Sequence, residues 1–287
     1  MKKQPISVII PNYSGYTLLQ KHLPDVFTSL QSGDEVIIVD DASPDKSVAW
    51  LKKKFVLKMV SLDEYRGQWQ LGKKKGDLRL LINGSNLRFA ATSNKGVSAA
   101  RNDLIFLINT DVSPVGECRN TLVSWFDDLS IFAVGCLEYE EYIGGTESGK
   151  NVLWFEKGLF FHAKANNMNT GPTAWVSGGS GMFRKKIWKK LHGFDIQFAP
   201  AYWEDIDLSV RAGDLGYSVI FDRSAVVLHQ HESTNAHTFG SKTLLKMSWK
   251  SADLFTRKHA SVSQMVSYYF WRPLWWWQRF KVIRLSS

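Results

Sequence analysis

An α/β fold with a doubly wound, mostly parallel sheet is what the sequence predicts, on two observations. Continuous apolar runs of strand length alternate with segments whose apolar residues recur at helical spacing, and such unbroken runs suit strands covered by helices on both faces. Polar residues also stand just past three of the runs, where the carboxyl ends of parallel strands open onto a crevice. The first run, Ile6 to Ile10, stops at Pro11. Leu18, Leu19, Leu23, Val26, Phe27 and Leu30 then repeat at close to helical spacing within Tyr16 to Leu30. Further buried strands are expected at Glu35 to Val39, Leu78 to Ile82, Leu104 to Ile108 and Ile131 to Val134, with a helix over Phe89 to Ala100. Glu138 to Pro172, rich in Gly, Asn and Lys, reads as a long mobile loop.

With 287 residues, 44% hydrophobic and 22% charged, the chain suits one large α/β domain or two small ones. The opening apolar run is too short for the core of an export signal. Cys118 and Cys136 sit in unrelated contexts with no second pair for a zinc or disulfide framework, so a reducing cytoplasm is expected.

The net charge of +9 is concentrated at one end. Lys242, Lys246, Lys250, Arg257, Lys258, Arg272, Arg279, Lys281 and Arg284 face a single acid, Asp253, in a tail that also carries Trp249, Trp271, Trp275, Trp276 and Trp277. Rings that partition to the headgroup layer beside cations that meet anionic lipid predict a membrane-surface anchor on residues 241–287. Arg272 breaks the apolar run well short of the ~20 residues a span needs. The alternative is a helix that packs its tryptophans on the body or on a second copy of the chain, giving a homo-oligomer. Nucleic acid is not expected, because no recognition motif accompanies the charge.

Pro11-Asn12-Tyr13 follows the first strand, Asp40-Asp41 the second and Asn109-Thr110-Asp111 the fourth. Each alone is ordinary turn chemistry; together they point to one site. Further on, Trp203-Glu204-Asp205-Ile206-Asp207-Leu208 clusters three acids behind Gly193-Phe194-Asp195 and ahead of His229. Carboxylates with an imidazole suggest base and metal chemistry, although the same acids could simply open a helix. A dinucleotide site of the Gly-x-Gly-x-x-Gly kind is excluded by Pro-Asn-Tyr-Ser-Gly after the first strand. A phosphate loop at Gly144 to Lys150 fails at Asn151, where a hydroxyl should hold magnesium, and no amphipathic helix follows. Without such a loop a nucleotide diphosphate would need a divalent cation, which Asp111 could take with help from an imidazole.

These motifs resemble those of the family 2 glycosyltransferases, which have the GT-A fold, over about Ile6 to Thr234, and look like the rhamnosyltransferase-like branch. Ser7 to Tyr13 and Ile37 to Ser43 match the family's two opening strands, and Asn86 to Gly96 resembles its nucleotide-closing segment, with Arg88 where Gly is usual. Asn109-Thr110-Asp111 corresponds to its Asp-x-Asp metal motif, Ser177 to Arg184 to its glycine-bearing strand beside the donor sugar, and Ala225 to His229 to the segment that returns a histidine to the metal. The resemblance implies a donor site of Pro11, Asn12, Tyr13, Asp40, Asp41, Phe89, Asn94, Asn109, Thr110, Gly178 and Gly179. It implies Mg²⁺ or Mn²⁺ on Asp111 and His229, with His231 as the rival, and an acceptor site with Trp203 and Asp207. Asp205 aligns with the catalytic base, and Glu204 orients the acceptor.

The expected domains are a catalytic unit, 1–240, with a nucleotide-sugar half (1–112) and an acceptor half (113–240), and the tail. The expected activity is inverting transfer from a dTDP-, UDP- or GDP-linked sugar to a glycan or lipid-linked acceptor, on the inner face of the cell membrane. The alternatives are a nucleotidyltransferase on a related fold and a non-catalytic, membrane-associated nucleotide-sugar-binding protein.

Overall fold

The computed structural model describes residues 4–140, 144–200, 202–229 and 234–285; His231 and Ser233 lie outside them. Strands β1 (Ile6–Asn12), β2 (Glu35–Asp40), β5 (Lys74–Ile82) and β6 (Leu104–Ile108) pair in parallel in the order β6-β1-β2-β5. On the far side of β6 come β13 (Ser180–Arg184), β8 (Ile131–Glu140) and β14 (Ser218–His229). Because β13 is antiparallel to both β6 and β8 while β14 is parallel to β8, every long central strand except β13 points the same way. The sheet is thus mostly parallel at its centre, as predicted, and one continuous sheet underlies both expected halves.

Alternate residues of each strand face opposite sides, and both sides are apolar. Ile6, Val8, Ile10, Val36 and Ile38 pack on one face with Leu19, Leu23, Val26 and Phe27 of α1 (Tyr16–Ser29), Leu51 of α2 (Ser47–Lys54) and Leu122 of α4 (Cys118–Ser124). Ile9, Ile37, Val39, Ile105 and Leu107 pack on the other with Ala90 and Val97 of α3 (Arg88–Ala99), Ile187 of α5 (Lys185–Lys190) and Leu208 and Ala212 of α6 (Glu204–Asp214). Cys118 and Cys136 meet in the first of these cores as free thiols with Sγ atoms 3.8 Å apart.

Two regions differ from expectation. An antiparallel extension, β3 (Lys58–Ser61) and β4 (Glu64–Leu71), continues the sheet beyond β5; its exposed residues lack the apolar run that marked the buried strands. The segment expected as a mobile loop is instead largely strand, holding the end of β8, then β9 (Thr146–Ser148), β10 (Asn151–Glu156), β11 (Leu159–Lys164) and β12 (Gly171–Pro172). Positive φ at Lys157 (46°) and Gly158 (82°) closes the β10–β11 hairpin between the paired Glu156 and Leu159, the geometry of a two-residue primed turn. Over the excluded phosphate loop the chain runs into β10 rather than a helix. The short β7 (Val112–Pro114) pairs with the end of β14, bringing Val112 opposite His229.

At the C-terminus α7 (Thr234–His259) and α8 (Val262–Leu285) form two long helices, so the 240/241 boundary falls inside α7. Phe255 of α7 is fully buried against Trp203 and Phe160, with ring centroids 5.0 and 5.3 Å away. Below it the Asp207 carboxylate, with no exposed side-chain surface, receives Arg211 at 2.7 Å, Lys258 at 2.7 Å and His259 at 2.8 Å. Asp207 and Trp203, expected in an acceptor site, are thus the residues that anchor α7 to α6.

Asp207→Ala should destabilise the fold by about 3 kcal/mol, because it removes the buried carboxylate that Arg211, Lys258 and His259 share. Urea denaturation measures this, and a variant as stable as wild type would remove the anchoring role.

Candidate active site

The site begins where β1, β2 and β6 end, since parallel neighbours in register must release their next residues at one edge. Asn12 donates through Nδ2 to Asp40 Oδ2 (2.7 Å) and Ser43 Oγ (3.2 Å), while Asp40 Oδ1 accepts from the Ser43 amide (2.9 Å). Asp41 is buried; its Oδ1 accepts from Asn83 Nδ2 (2.7 Å) and the Leu87 amide (2.8 Å), and its Oδ2 from the Arg88 amide (2.8 Å). This carboxylate fixes the start of α3 and with it Phe89. Asn94 donates to the Phe194 carbonyl (2.8 Å) and accepts from the Phe194 amide (2.9 Å), tying α3 to the chain before α6.

A cleft of about 390 Å³ opens over these strand ends. Of the residues singled out in the sequence, Pro11, Asn12, Tyr13, Asp41, Phe89, Asn109, Thr110, Asp111, Gly178, Gly179, Glu204, Asp205 and His229 line it. Asp40, Asn94, Trp203 and Asp207 do not: each is turned into a structural hydrogen bond or the core, as described above. Further lining residues are Glu138, Pro200 and Tyr202, which the sequence reading did not single out, and Asn86, Arg88, Thr92 and Ser177, which lay within the family-like segments without being assigned to the donor site. Glu138 was hidden because it was assigned to a loop; the run Ile131 to Leu137 leading straight into it was the available signal.

Asn109 reaches its place only because Gly179 is small. A Cβ on Gly179 would lie 2.6 Å from Asn109 Nδ2, and one on Gly178 would lie 2.9 Å from the Phe194 ring and 3.1 Å from that of Phe89. Across from them, Tyr202 (φ 75°) and Trp203 (φ 80°) turn the chain sharply into α6. The acids do open that helix, and the same turn delivers Glu204 and Asp205 to the cleft.

Asp205 Oδ2 accepts from the Gly178 amide at 3.3 Å and Oδ1 from the Ile206 amide at 2.9 Å. Burial raises the Asp205 carboxyl above its ordinary range and the charge of Glu138 adds to this, while those amides hold the rise in check. Glu204 is pushed up further, by burial and then by the charge of Asp205. Two neighbouring carboxyls with separated affinities take different roles: at neutral pH Glu204 keeps its proton and Asp205 is the ionised member.

Facing them, His229 Nε2 lies 3.5 Å from Asp111 Oδ1 and its Nδ1 lies 3.8 Å from Glu138 Oε2. Burial opposes charge on the imidazole, but the facing carboxylates of Asp111 and Glu138 outweigh it and raise His229 to about 10. Burial likewise opposes charge on Glu138, which His229, Ser180 and Ser148 nonetheless hold down at about 2. Asp111 Oδ1 is buried and accepts no hydrogen bond. A carboxylate oxygen and an imidazole nitrogen converging across 3.5 Å suit a divalent cation of the magnesium or manganese kind, which would take the place of the proton that the carboxylates otherwise hold on His229. Among the described residues no group of three or more His, Cys, Asp or Glu is arranged as a metal site, so ligand oxygens would have to complete the coordination.

Solved structures share this architecture. GalNAc-T7 with UDP, GalNAc and Mn²⁺ superposes with a TM-score of 0.62 at 13% identity, over 80% of this chain and 45% of that one. The mannosyltransferase PcManGT of Pyrobaculum calidifontis, with GDP-Man and Mn²⁺, gives 0.59 at 15% identity, over 93% of this chain and 74% of that one. The fold is therefore that of the GT-A glycosyltransferases. In sequence, the model for Glycosyl transferase family 2 matches residues 7–191, and the chain belongs to that family. The O-antigen chain rhamnosyltransferase RfbN of Salmonella typhimurium is 24% identical over 241 residues, which cover 82% of this chain and 69% of that protein.

A buried acid with a raised affinity keeps its proton in the folded state at pH values where the unfolded chain has lost it, so stability falls as pH climbs from the ordinary carboxylate range to neutrality. Glu204→Gln should remove that penalty, leaving melting unchanged near pH 4 and raised near pH 7.5. Melting curves at both values check it, and a variant that melts lower at pH 7.5 would mean that Glu204 is not held protonated.

Proposed function

We propose that the protein is an inverting glycosyltransferase, moving a sugar from a nucleotide diphosphate to a hydroxyl of a glycan or lipid-linked acceptor in cell-surface polysaccharide synthesis. The observation that carries this reading is the pairing, across one cleft, of an ionised Asp205 with the Asp111–His229 pair. The kinship with an O-antigen chain rhamnosyltransferase supports the polysaccharide role. Nucleotides in the neighbouring structures, UDP and GDP, support a nucleotide-linked donor.

In this reading the nucleoside lies over the ends of β1 and β2, and Asp111 and His229 hold a divalent cation against the diphosphate. When bound, the cation offsets negative charge developing on the departing diphosphate. Asp205 takes the proton of the acceptor hydroxyl as that oxygen attacks the anomeric carbon from the face opposite the leaving group, which inverts the centre. Neutral Glu204 beside it can donate to an acceptor oxygen without repelling the forming charge, and its proton keeps the neighbouring carboxylate from being one of an ionised pair. Gly178 lets the sugar approach the backbone.

The C-terminal helices supply a second surface. No helix of the described residues is long and apolar enough to cross a membrane. Val266, Tyr269, Phe270 and Trp276 of α8 are nonetheless 61 to 75% exposed, and Trp275 packs on Phe161 of the β10–β11 hairpin at 5.5 Å. Apolar rings beside Arg272 and Lys157 suit an anionic lipid surface, which would bring the cleft to a lipid-linked acceptor on the inner face of the cell membrane.

Asp205→Asn should lower transfer by about 10²- to 10⁴-fold while leaving donor-induced thermal stabilisation intact. Asp111→Ala should abolish the Mn²⁺-dependent part of that stabilisation. A panel of nucleotide diphosphate sugars, each with Mn²⁺ and with chelator, reads both; near-normal turnover in Asp205→Asn would exclude it as the base. Separately, Phe270→Glu with Trp276→Glu should weaken sedimentation with anionic vesicles and leave melting unchanged, since these two rings are 75 and 68% exposed. Equal sedimentation of wild type and variant would place the membrane contact elsewhere or nowhere.

A further inference from the structure

Outside α8, seven large apolar side chains of the described residues are at least half exposed, and four of them, Val56, Met59, Val60 and Leu62 at 55 to 90%, fall within seven consecutive positions. They lie on and beside β3, the last strand in the sheet order, whose partner is β4. Single exposed apolar residues are ordinary, whereas a group of four along one edge marks a contact. Val56 also holds a φ of +50°, a left-handed conformation that β-branched residues rarely adopt. Its side chain, 76% exposed, gains little packing in return.

The same edge is cationic. Residues 46–79 hold ten lysines and arginines against Asp63, Glu64 and Asp77, a basic stretch that acids elsewhere in the body offset in the net charge. The three acids are already engaged: Glu64 with Arg66 and Arg79 at 2.7 and 2.9 Å, Asp77 with Arg101, and Asp63 with Ser61 at 2.7 Å and Lys95 at 3.8 Å. Lys53, Lys54 and Lys58 are exposed, and none of them has an acid within ion-pair distance among the described residues. Met59 pairs across the ladder with Tyr65, and Lys52 of α2 stands over the Tyr65 ring at 3.7 Å, so the apolar edge and the lysine-rich end of α2 are neighbours.

The backbone and the charge together select the occupant. A strand from another protein, or β3 of a second copy, would need a long regular edge to pair with. Strand β3 has four residues, and its register slips at Val60, which has no partner on β4. Such a bulge bends the edge where pairing would run, and lysines brought together by two copies would repel. A purely acidic partner would match the lysines and leave the four apolar side chains in water. A bilayer with anionic headgroups takes both, because apolar side chains enter the interface while lysines meet the charge, and no backbone pairing is required.

We propose that the β3 edge, through Lys53, Lys54 and Lys58 with Val60 and Leu62, is a contact for an anionic lipid surface, separate from α8. It closes one end of the sheet order, whereas the hairpin under α8 is joined through Thr173 to β14, near the other end. The two surfaces are therefore tested one at a time. The test is sedimentation of the full chain with vesicles of phosphatidylcholine alone and of phosphatidylcholine mixed with phosphatidylserine, at low and high salt. Replacing the three lysines together (Lys53→Gln, Lys54→Gln, Lys58→Gln) should weaken binding to the phosphatidylserine vesicles by about 10²-fold at low salt, as three lysines near an anionic surface allow. Val60→Asn with Leu62→Asn should weaken it at both salts. Both sets should melt with wild type, because the altered side chains are exposed. The α8 variant, Phe270→Glu with Trp276→Glu, should keep a salt-sensitive part of the binding, and adding the three lysine changes should remove it. Loss of all vesicle binding in the α8 variant alone would overturn the proposal and leave α8 as the contact, as would a lysine variant that sediments like wild type. Wild type that ignores anionic vesicles would overturn both contacts. Lysine-dependent binding of soluble polyglutamate as tight as that of vesicles, and indifferent to Val60→Asn with Leu62→Asn, would assign the edge to an acidic protein and overturn the lipid contact.

Discussion

Besides Asp41, which three hydrogen bonds hold at the strand ends, the carboxyl groups of Asp111, Glu138, Glu204 and Asp205 face one cleft of about 390 Å³, and much of the surrounding structure is what makes that tolerable. Acids brought together out of water repel one another and lose hydration, so each needs a partner or a proton. Glu138 has Ser180, Ser148 and the charge of His229; Asp205 has two backbone amides; Glu204 keeps its proton; Asp111 has His229 at one side. Of these, Asp111 Oδ1 and Glu204 Oε2 are buried without a hydrogen bond, and Asp111 Oδ1 lies 3.5 Å from His229 Nε2. The cleft is thus most easily completed by something cationic at Asp111 and something that takes hydrogen bonds at Asp205, which is the polarity that a metal-held diphosphate and an acceptor hydroxyl would bring.

Five of the eight non-glycine residues with positive φ among the described residues follow the same outline. Ser14, Ala42 and Arg88, at the ends of the first two strands and the start of α3, have φ of 54°, 58° and 71°, and Tyr202 and Trp203, at the start of α6, have 75° and 80°. All five are residues other than glycine held in the left-handed region, at a cost of order 1–3 kcal/mol each. They lie at the turns that bring side chains back over the strand ends, so the sheet and its two apolar faces supply the stability that these turns spend. Elsewhere the core is regular: alternate residues of β1 and β2 fill opposite faces without interruption.

What was legible in the sequence divides along physical lines. Buried parallel strands announce themselves as unbroken apolar runs, so β1, β2, β6 and the start of β8 were readable, and the polar residues beyond them followed from topology. Half-exposed antiparallel strands do not. Asn151–Glu156 alternates in exposure along its length, yet its turn depends on Lys157 taking a positive φ, and no turn signal stronger than one glycine marks it. Within the site, residues whose backbone position is fixed by a strand end, such as Asn12, Asn109 and Asp111, line the cleft. Those whose side-chain direction depends on distant packing turn away from it: Asn94 is claimed by Phe194, one hundred positions on, and Asp207 by Lys258 and His259.

Asp207 also bears on how the tail and the cleft are related. It lies two residues from Asp205 on the same short helix, and its carboxylate is the point at which α7 grips α6. Trp203, which precedes the acids, packs on Phe255 of α7. The α6 segment that presents Glu204 and Asp205 is therefore clamped on both sides of the pair by residues of the C-terminal helix. A carboxylate acting as base must be held within a fraction of an ångström of its hydroxyl to be effective. The basic, aromatic tail is accordingly joined to the body of the fold through α7, and beyond it α8 presents Tyr269, Phe270, Trp276 and Trp277 to its surroundings.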